Sequence, residues 1–130
     1  MGDIYMNEIF RNFEFNDKVQ GKLEIINGVK LPEDYLDFMS KHNGGEGTIG
    51  ETAYACIFGI EELDSMNEEY EISKYHKDYF IFGTDGGGML LGYNGNIKKY
   101  YAIDSCSIDE NDKFYESDTL EEFFKKMSEE

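Results

Sequence analysis

His42 and His76 are the only histidines in this chain of 130 residues, so hydrolysis of the Ser–His–Asp or Cys–His kind would have to pass through one of them. Such a triad needs a Ser or Cys nucleophile within reach of the imidazole and a carboxylate to orient the ring. The sequence contains no nucleophile elbow, and His42 is accounted for by the C-terminal end of a helix, where positive charge is favourable. Cys56 and Cys106 form neither Cys-x-x-Cys nor a zinc spacing and lie in or beside strand-like segments, so both read as buried free thiols. The run Asp85-Gly86-Gly87-Gly88 has the composition of a phosphate cradle. It lacks the trailing Lys-Ser/Thr, however, and a strand rather than a helix follows, so no helix dipole points at an anion. A tight turn with positive φ is the better account. The acids between Asp104 and Asp112 lack the central Gly and terminal Glu of a calcium loop. The residues therefore assign no catalytic group, no cofactor and no metal ligand, and a protein that is not an enzyme is expected.

Charge is the second chemical resource. The chain carries 28 acidic and 12 basic residues, a net −16 at neutral pH. A field of that sign repels nucleic acid and anionic membranes and draws basic partners inward. Arg11 is the sole arginine, the residue that most often clamps phosphate. No direct nucleic-acid or membrane contact is expected. The charge is densest at Glu61, Glu62, Asp64, Glu68, Glu69 and Glu71, a run with no base among them. Like charges at i and i+4, such as Asp64 and Glu68, destabilise a helix by ~0.2–0.5 kcal/mol per pair. Retaining that repulsion fits a surface that acts on a partner. It fits a solvated helix face as well.

The elements that must hold these groups follow from periodicity. Residues 1–16 are aromatic-rich without a clean period and read as an N-terminal arm or short helix. Val19, Leu23 and Ile26 recur at helical spacing from Asp17, and Asn27-Gly28 reads as that helix's stop. A second helix follows at once, so a helical hairpin is expected. Gly47 to Gly50 and Ala53 to Phe58 read as strands, and Ile60, Leu63, Met66 and Tyr70 as the inner stripe of the acidic helix. Tyr79 to Phe82 and Met89 to Tyr93 are strands, and Asn94-Gly95 signals a two-residue hairpin into Lys98 to Ile103. Ile108 to Lys113 reads as polar loop. Asp118-x-x-Glu121 caps a last helix with Leu120, Phe123, Phe124 and Met127 on one face. The sum is α+β: a mainly antiparallel sheet packed by an N-terminal helical hairpin, a middle helix and a C-terminal helix.

Length and composition agree with one domain over 1–130. A chain this long buries roughly two thirds of its unfolded surface, and ten Phe with ten Tyr supply the core. With a single Pro and no Gly/Ser-rich stretch there is no sign of a linker. No window holds the ~18 apolar residues of a membrane span, and Met1-Gly2-Asp3-Ile4 opens no signal peptide. A cytoplasmic protein is expected.

The most specific wording lies in Leu31-Pro32-Glu33-Asp34-Tyr35-Leu36-Asp37-Phe38-Met39-Ser40-Lys41-His42-Asn43-Gly44-Gly45. Physically it is a complete helix. Pro32 suits its first turn, Glu33 and Asp34 sit at the positive end of the dipole, and Tyr35, Phe38, Met39 and His42 form one face. Asn43-Gly44 is a left-handed stop. The positions Leu31, Pro32, Tyr35, Phe38, Asn43, Gly44 and Gly45 resemble the signature of the SUKH superfamily. So does Asp85-Gly86-Gly87-Gly88 between two strands, and so does the closing helix from Ser117 to Phe124. That group includes the fungal cell-wall assembly regulator and many bacterial immunity proteins against polymorphic toxins. The resemblance implies that these motif residues are structural and that the chain works by binding protein. The leading expectation is an immunity protein for a cognate toxin domain, a basic nuclease, with the six acids from Glu61 to Glu71 at the contact. The alternative is an intracellular scaffold of the regulator type. That branch carries long disordered flanks, for which this sequence has no counterpart.

Overall fold

Runs of aromatic and aliphatic residues, separated by turns bearing Gly and Asn, form one seven-stranded antiparallel sheet. A computed structural model describes residues 8–17, 24–106 and 113–129. The strands are β1 (Phe13–Phe15), β2 (Ile25–Ile26), β3 (Val29–Lys30), β4 (Gly45–Ile49), β5 (Ala53–Ile57), β6 (Tyr79–Thr84), β7 (Met89–Asn94), β8 (Lys99–Asp104) and β9 (Lys113–Ser117). The helices are α1 (Glu33–Lys41), α2 (Leu63–Glu69), α3 (Ile72–Tyr75) and α4 (Leu120–Ser128). Seven strands form a sheet in the order β1-β4-β5-β6-β7-β8-β9, every neighbouring pair antiparallel, while β2 and β3 make a separate ribbon. The expected α+β class holds. Of the expected helices, the signature, middle and C-terminal ones are present, whereas Ile25–Ile26 at the end of the expected first helix is a strand.

One layer of the core lies between the sheet and the helices α1 and α4. Tyr35 of α1 meets Phe80 and Phe82 of β6 at ring distances of 5.5 and 5.4 Å, and Phe123 of α4 meets Phe82 at 5.9 Å. Tyr35 and Phe38 are buried, as the signature helix requires. Asp34 closes the two helices onto the sheet. Its Oδ1 accepts from the Tyr100 hydroxyl at 2.6 Å and from Tyr35 N at 3.0 Å, and its Oδ2 accepts from Leu120 N at 2.8 Å. One carboxylate at the start of α1 thus fills an orphan donor at the start of α4, where negative charge is also favoured by the dipole.

The signature's Asn-Gly-Gly has a geometric cause. Gly44 has φ +76°, and a Cβ there would lie 2.3 Å from the Ile57 carbonyl oxygen. A Cβ on Gly45 would lie 2.2 Å from the Glu14 carbonyl oxygen. β4 enters between β1 and β5 at this point, and only glycine lets three backbones approach so closely.

Several boundaries differ from the sequence reading. Residues 18–23 of the expected first helix lie outside the described residues, but its end is not helical. Ile25-Ile26 is a strand, and Asn27 and Gly28, both at positive φ, form the two-residue turn into β3. Two β-branched residues before Asn-Gly are a stronger hairpin signal than three apolar residues at helical spacing are a helix signal. Residues 1–7 of the N-terminal arm also lie outside. Phe13–Phe15 of that arm adds an edge strand to the sheet, and Glu8-Ile9 is helical. Pro32 precedes α1 in an extended conformation, φ −66° and ψ 150°, instead of occupying its first turn.

The hairpin expected at Asn94-Gly95 is longer than two residues. Asn94 pairs with Lys99, leaving Gly95–Lys98 as the loop. Asn94 Oδ1 accepts from the amides of Asn96 and Ile97, which draws the loop inward, and Gly95 abuts Val29 so closely that a Cβ would meet Val29 Cγ1 at 2.8 Å. Residues 108–112 of the expected polar loop lie outside the described residues, and Lys113 opens β9, an edge strand the sequence reading did not anticipate. The cap of α4 is Thr119, whose Oγ1 accepts from Glu122 N at 3.1 Å, not Asp118. Asp85 behaves as expected. Its Oδ1 accepts from Gly87 N and Met89 N, and Gly86 and Gly88 take positive φ, which closes the β6–β7 turn.

Candidate partner-binding surface

The acidic run begins where β5 leaves β6. β5 pairs with β6 only over Cys56–Thr84 and Ile57–Gly83, so the first half of β6 lacks a strand on that side. Asn67 of α2 takes the place of one. Its Nδ2 donates to Ile81 O at 2.9 Å and its Oδ1 accepts from Ile81 N at 2.8 Å, while Nδ2 also donates to Leu63 O at 2.8 Å. Leu63, Asn67 and Ile72 are the buried residues of the α2–α3 segment. The expected stripe of Ile60, Leu63, Met66 and Tyr70 is thereby corrected. Ile60 and Met66 are half-buried and Tyr70 is exposed, because a polar side chain at i+4 from Leu63 claims the inward position to satisfy a strand. The helix also breaks at Glu71, which takes φ +53° before α3 begins.

The six acids are all exposed, but they are not equivalent. Glu61 Oε1 accepts from Asn43 Nδ2 at 2.8 Å, and Asn43 Oδ1 accepts from Ile60 N at 2.9 Å. The buried Asn of the signature therefore ties the end of α1 to the start of the acidic segment. Glu62 Oε2 accepts from Gly59 N at 3.0 Å. Glu71 lies 4.0 Å from the Lys74 ammonium. Asp64, Glu68 and Glu69 on α2 make no side-chain hydrogen bond or ion pair among the described residues. Tyr70 and Tyr75, both exposed, follow directly along the chain, and Lys74 sits over the Tyr75 ring at 5.2 Å from its centroid.

A cleft of about 510 Å³ lies elsewhere, between β1, α1 and the start of α4. Phe10, Phe15 and Phe38 line it, and Asp34, Asp37, Lys41, His42 and Thr119 reach its rim. Asp34 and Thr119 already accept the α4 amides described above, and Lys41 pairs with Asp37 at 3.2 Å. His42 stacks on Phe15 at 3.9 Å. His76 is buried at the end of α3, 6.0 Å from the Tyr79 ring. The two histidines thus sit against different parts of the sheet.

The cysteines are less buried than their sequence context implies. Cys106 is exposed and Cys56 half-buried. Partial burial, with Glu46 and Glu62 nearby, raises the Cys56 thiol above its usual range and keeps it protonated. Among the described residues no group of three or more His, Cys, Asp or Glu is placed to hold a metal ion, and no helix is long and apolar enough to cross a membrane.

These features describe an α+β domain with an exposed acidic segment and exposed Tyr54, Tyr70 and Tyr75. The model of the SMI1 / KNR4 family (SUKH-1) matches residues 17–126, and the chain belongs to that family. Membership fits the role of an immunity protein or a related regulator acting through a protein partner, and members of the family are generally non-catalytic. No curated protein matches the chain.

Proposed function

We propose that this chain is an immunity protein that binds a cognate bacterial toxin domain, a basic nuclease, and blocks it in contact-dependent competition. The observation that carries the reading is the state of Asp64, Glu68 and Glu69. These carboxylates stand on a helix pinned to the sheet through Asn67, exposed and unpaired among the described residues. A fixed cluster of one sign raises the local concentration of an oppositely charged partner and speeds encounter by 10-fold or more at low ionic strength. Glu61, Glu62 and Glu71 extend the same surface, and Tyr70 supplies an amphipathic anchor of the kind that dominates interface energetics. Neutralising a toxin requires occupancy alone, so no reacting group is needed.

The test is association kinetics with a basic nuclease toxin domain that the protein neutralises. Asp64→Asn, Glu68→Gln and Glu69→Gln together should slow association about 10-fold at low salt and flatten its salt dependence. Dissociation and the melting temperature should change little. Glu61 and Glu62 are left intact because Glu61 holds the Asn43 side-chain amide and Glu62 the Gly59 N–H. An unchanged association rate at low salt places the interface elsewhere.

A further inference from the structure

In an Asn-Gly pair the glycine nitrogen can attack the asparagine side-chain carbonyl with no Cβ in its way. The chain holds three such pairs: Asn27-Gly28, Asn43-Gly44 and Asn94-Gly95. As dipeptides they are equal. The fold separates them at both reacting groups. Asn43 is 2% exposed, its amide tied to Glu61 Oε1 and Ile60 N, and Gly44 N donates to His42 O at 2.6 Å. Asn94 is 7% exposed. Its Nδ2 donates to the Tyr101 hydroxyl at 3.1 Å, its Oδ1 accepts from two loop amides, and Gly95 N donates to Asp78 O at 2.8 Å. Asn94 also pairs with Tyr79 on one side and Lys99 on the other, so it cannot turn without parting strands of the main sheet.

Asn27 lacks these restraints. It and Gly28 are exposed at the tip of the β2–β3 turn, and a Cβ on Gly28 would meet nothing within 4 Å, so the space around the attacking nitrogen is open. Gly28 N donates to no acceptor among the described residues. The Asn27 side chain makes one hydrogen bond among them, the long contact of Nδ2 with Tyr79 O at 3.3 Å. The ribbon is separate from the main sheet and pairs only two residues on each strand, so the turn opens without parting any strand of that sheet.

We propose that Asn27 is a site of spontaneous covalent modification in the folded chain, converting through a succinimide to aspartate and isoaspartate. The Gly28 nitrogen gives its proton to a solvent base and bonds to Asn27 Cγ. The Cγ–Nδ2 bond breaks and ammonia leaves, which closes the ring. Water then opens either carbonyl of the ring, so the sum is one water consumed and one ammonia released. The product carries a carboxylate where the amide had donated to Tyr79 O, and isoaspartate adds a methylene to the backbone of the turn. The ribbon thereby loses its side-chain tie to the first residue of β6. The site stands independently of the proposed toxin binding.

Peptide mapping by mass spectrometry tests this on the full chain kept folded in warm, mildly alkaline buffer, beside a second sample kept in denaturant. Each site is followed by the mass gained when an amide becomes an acid, and isoaspartate is confirmed by its specific methyltransferase. In the folded sample Asn27 should convert about 10-fold or more faster than Asn43 and Asn94, whose side chains two or more hydrogen bonds hold in place. In denaturant the three should react at similar rates, since the fold and not the dipeptide makes the difference. Gly28→Ala puts a methyl beside the attacking nitrogen and should slow conversion at Asn27 by about 10-fold. Circular dichroism confirms that the variant is folded. Conversion at Asn43 or Asn94 as fast as at Asn27 in the folded chain overturns the inference. So does conversion at Asn27 that Gly28→Ala leaves unchanged, since the acid would then arise by direct hydrolysis.

Discussion

The amide of Asn67 meets the backbone of Ile81 as a neighbouring strand would, donating to its carbonyl at 2.9 Å and accepting from its N–H at 2.8 Å. This two-point contact holds the acidic helix against the sheet where β5 has turned away. Buried backbone groups without partners cost about 1–3 kcal/mol each, so one side chain both completes β6 and orients α2. The acids on α2 then project from a fixed element, not from a loop.

Substitution at this position has a defined outcome. Asn67→Ala leaves the N–H and C=O of Ile81 without protein partners and should destabilise the fold by about 2–5 kcal/mol. Asn67→Asp keeps the acceptor but loses the donor to Ile81 O and Leu63 O, and it buries a charge besides. Denaturant unfolding should rank the wild type above both. Equal midpoints for Asn67→Ala and wild type would show that the contact contributes nothing.

Signature Gly44 and the hairpin Gly28 make a second prediction, which separates close approach from backbone angle. Gly28 and Gly44 share φ +76°, but a Cβ on Gly28 meets nothing within 4 Å, whereas one on Gly44 runs into the Ile57 carbonyl. Gly28→Ala should cost about 1–2 kcal/mol, the left-handed penalty alone. Gly44→Ala must also push β4 off β5, and it should lose more than twice as much or fail to fold. Parallel thermal melts of the two variants decide it.

Alkaline pH provides the third. Burial is the first cause raising the phenols of Tyr35, Tyr79 and Tyr100. Neighbouring Tyr101 adds to it for Tyr79, and the hydrogen bond to Asp34 adds to it for Tyr100. A phenol whose folded pKa lies above its unfolded value of about 10 contributes stability that is complete below that pH and lost as pH rises beyond it. Three such groups give a slope of about 4 kcal/mol per pH unit once the unfolded chain ionises. Stability should therefore be flat through neutrality and fall steeply above pH ~10. Tyrosine absorbance should show these phenols ionising only with unfolding. Smooth titration of all ten tyrosines in the folded protein would contradict the burial.

The sequence by itself determined the elements whose cause is local. The β6–β7 hairpin, α1 with its buried Tyr35 and Phe38, and the apolar face of α4 all follow from periodicity and turn chemistry that neighbouring residues decide. The acidity of α2 was equally plain, since charge needs no fold to be counted. The tertiary structure alone decided what depends on contacts far apart in sequence. It turned Asn27-Gly28 from a helix stop into a hairpin, because Ile26 and Val29 found a core to cover. It moved the cap of α4 to Thr119 and added Asp34, 86 residues away, as a second acceptor. It made Asn67 an inward residue of the acidic helix beside Leu63, and it divided six similar acids into three with internal partners and three without one among the described residues. Local rules see a residue's type and its neighbours' spacing. They cannot see which backbone groups will be left without a partner when strands diverge, and those groups, costly to bury unpaired, chose the residues that hold the acidic surface in place.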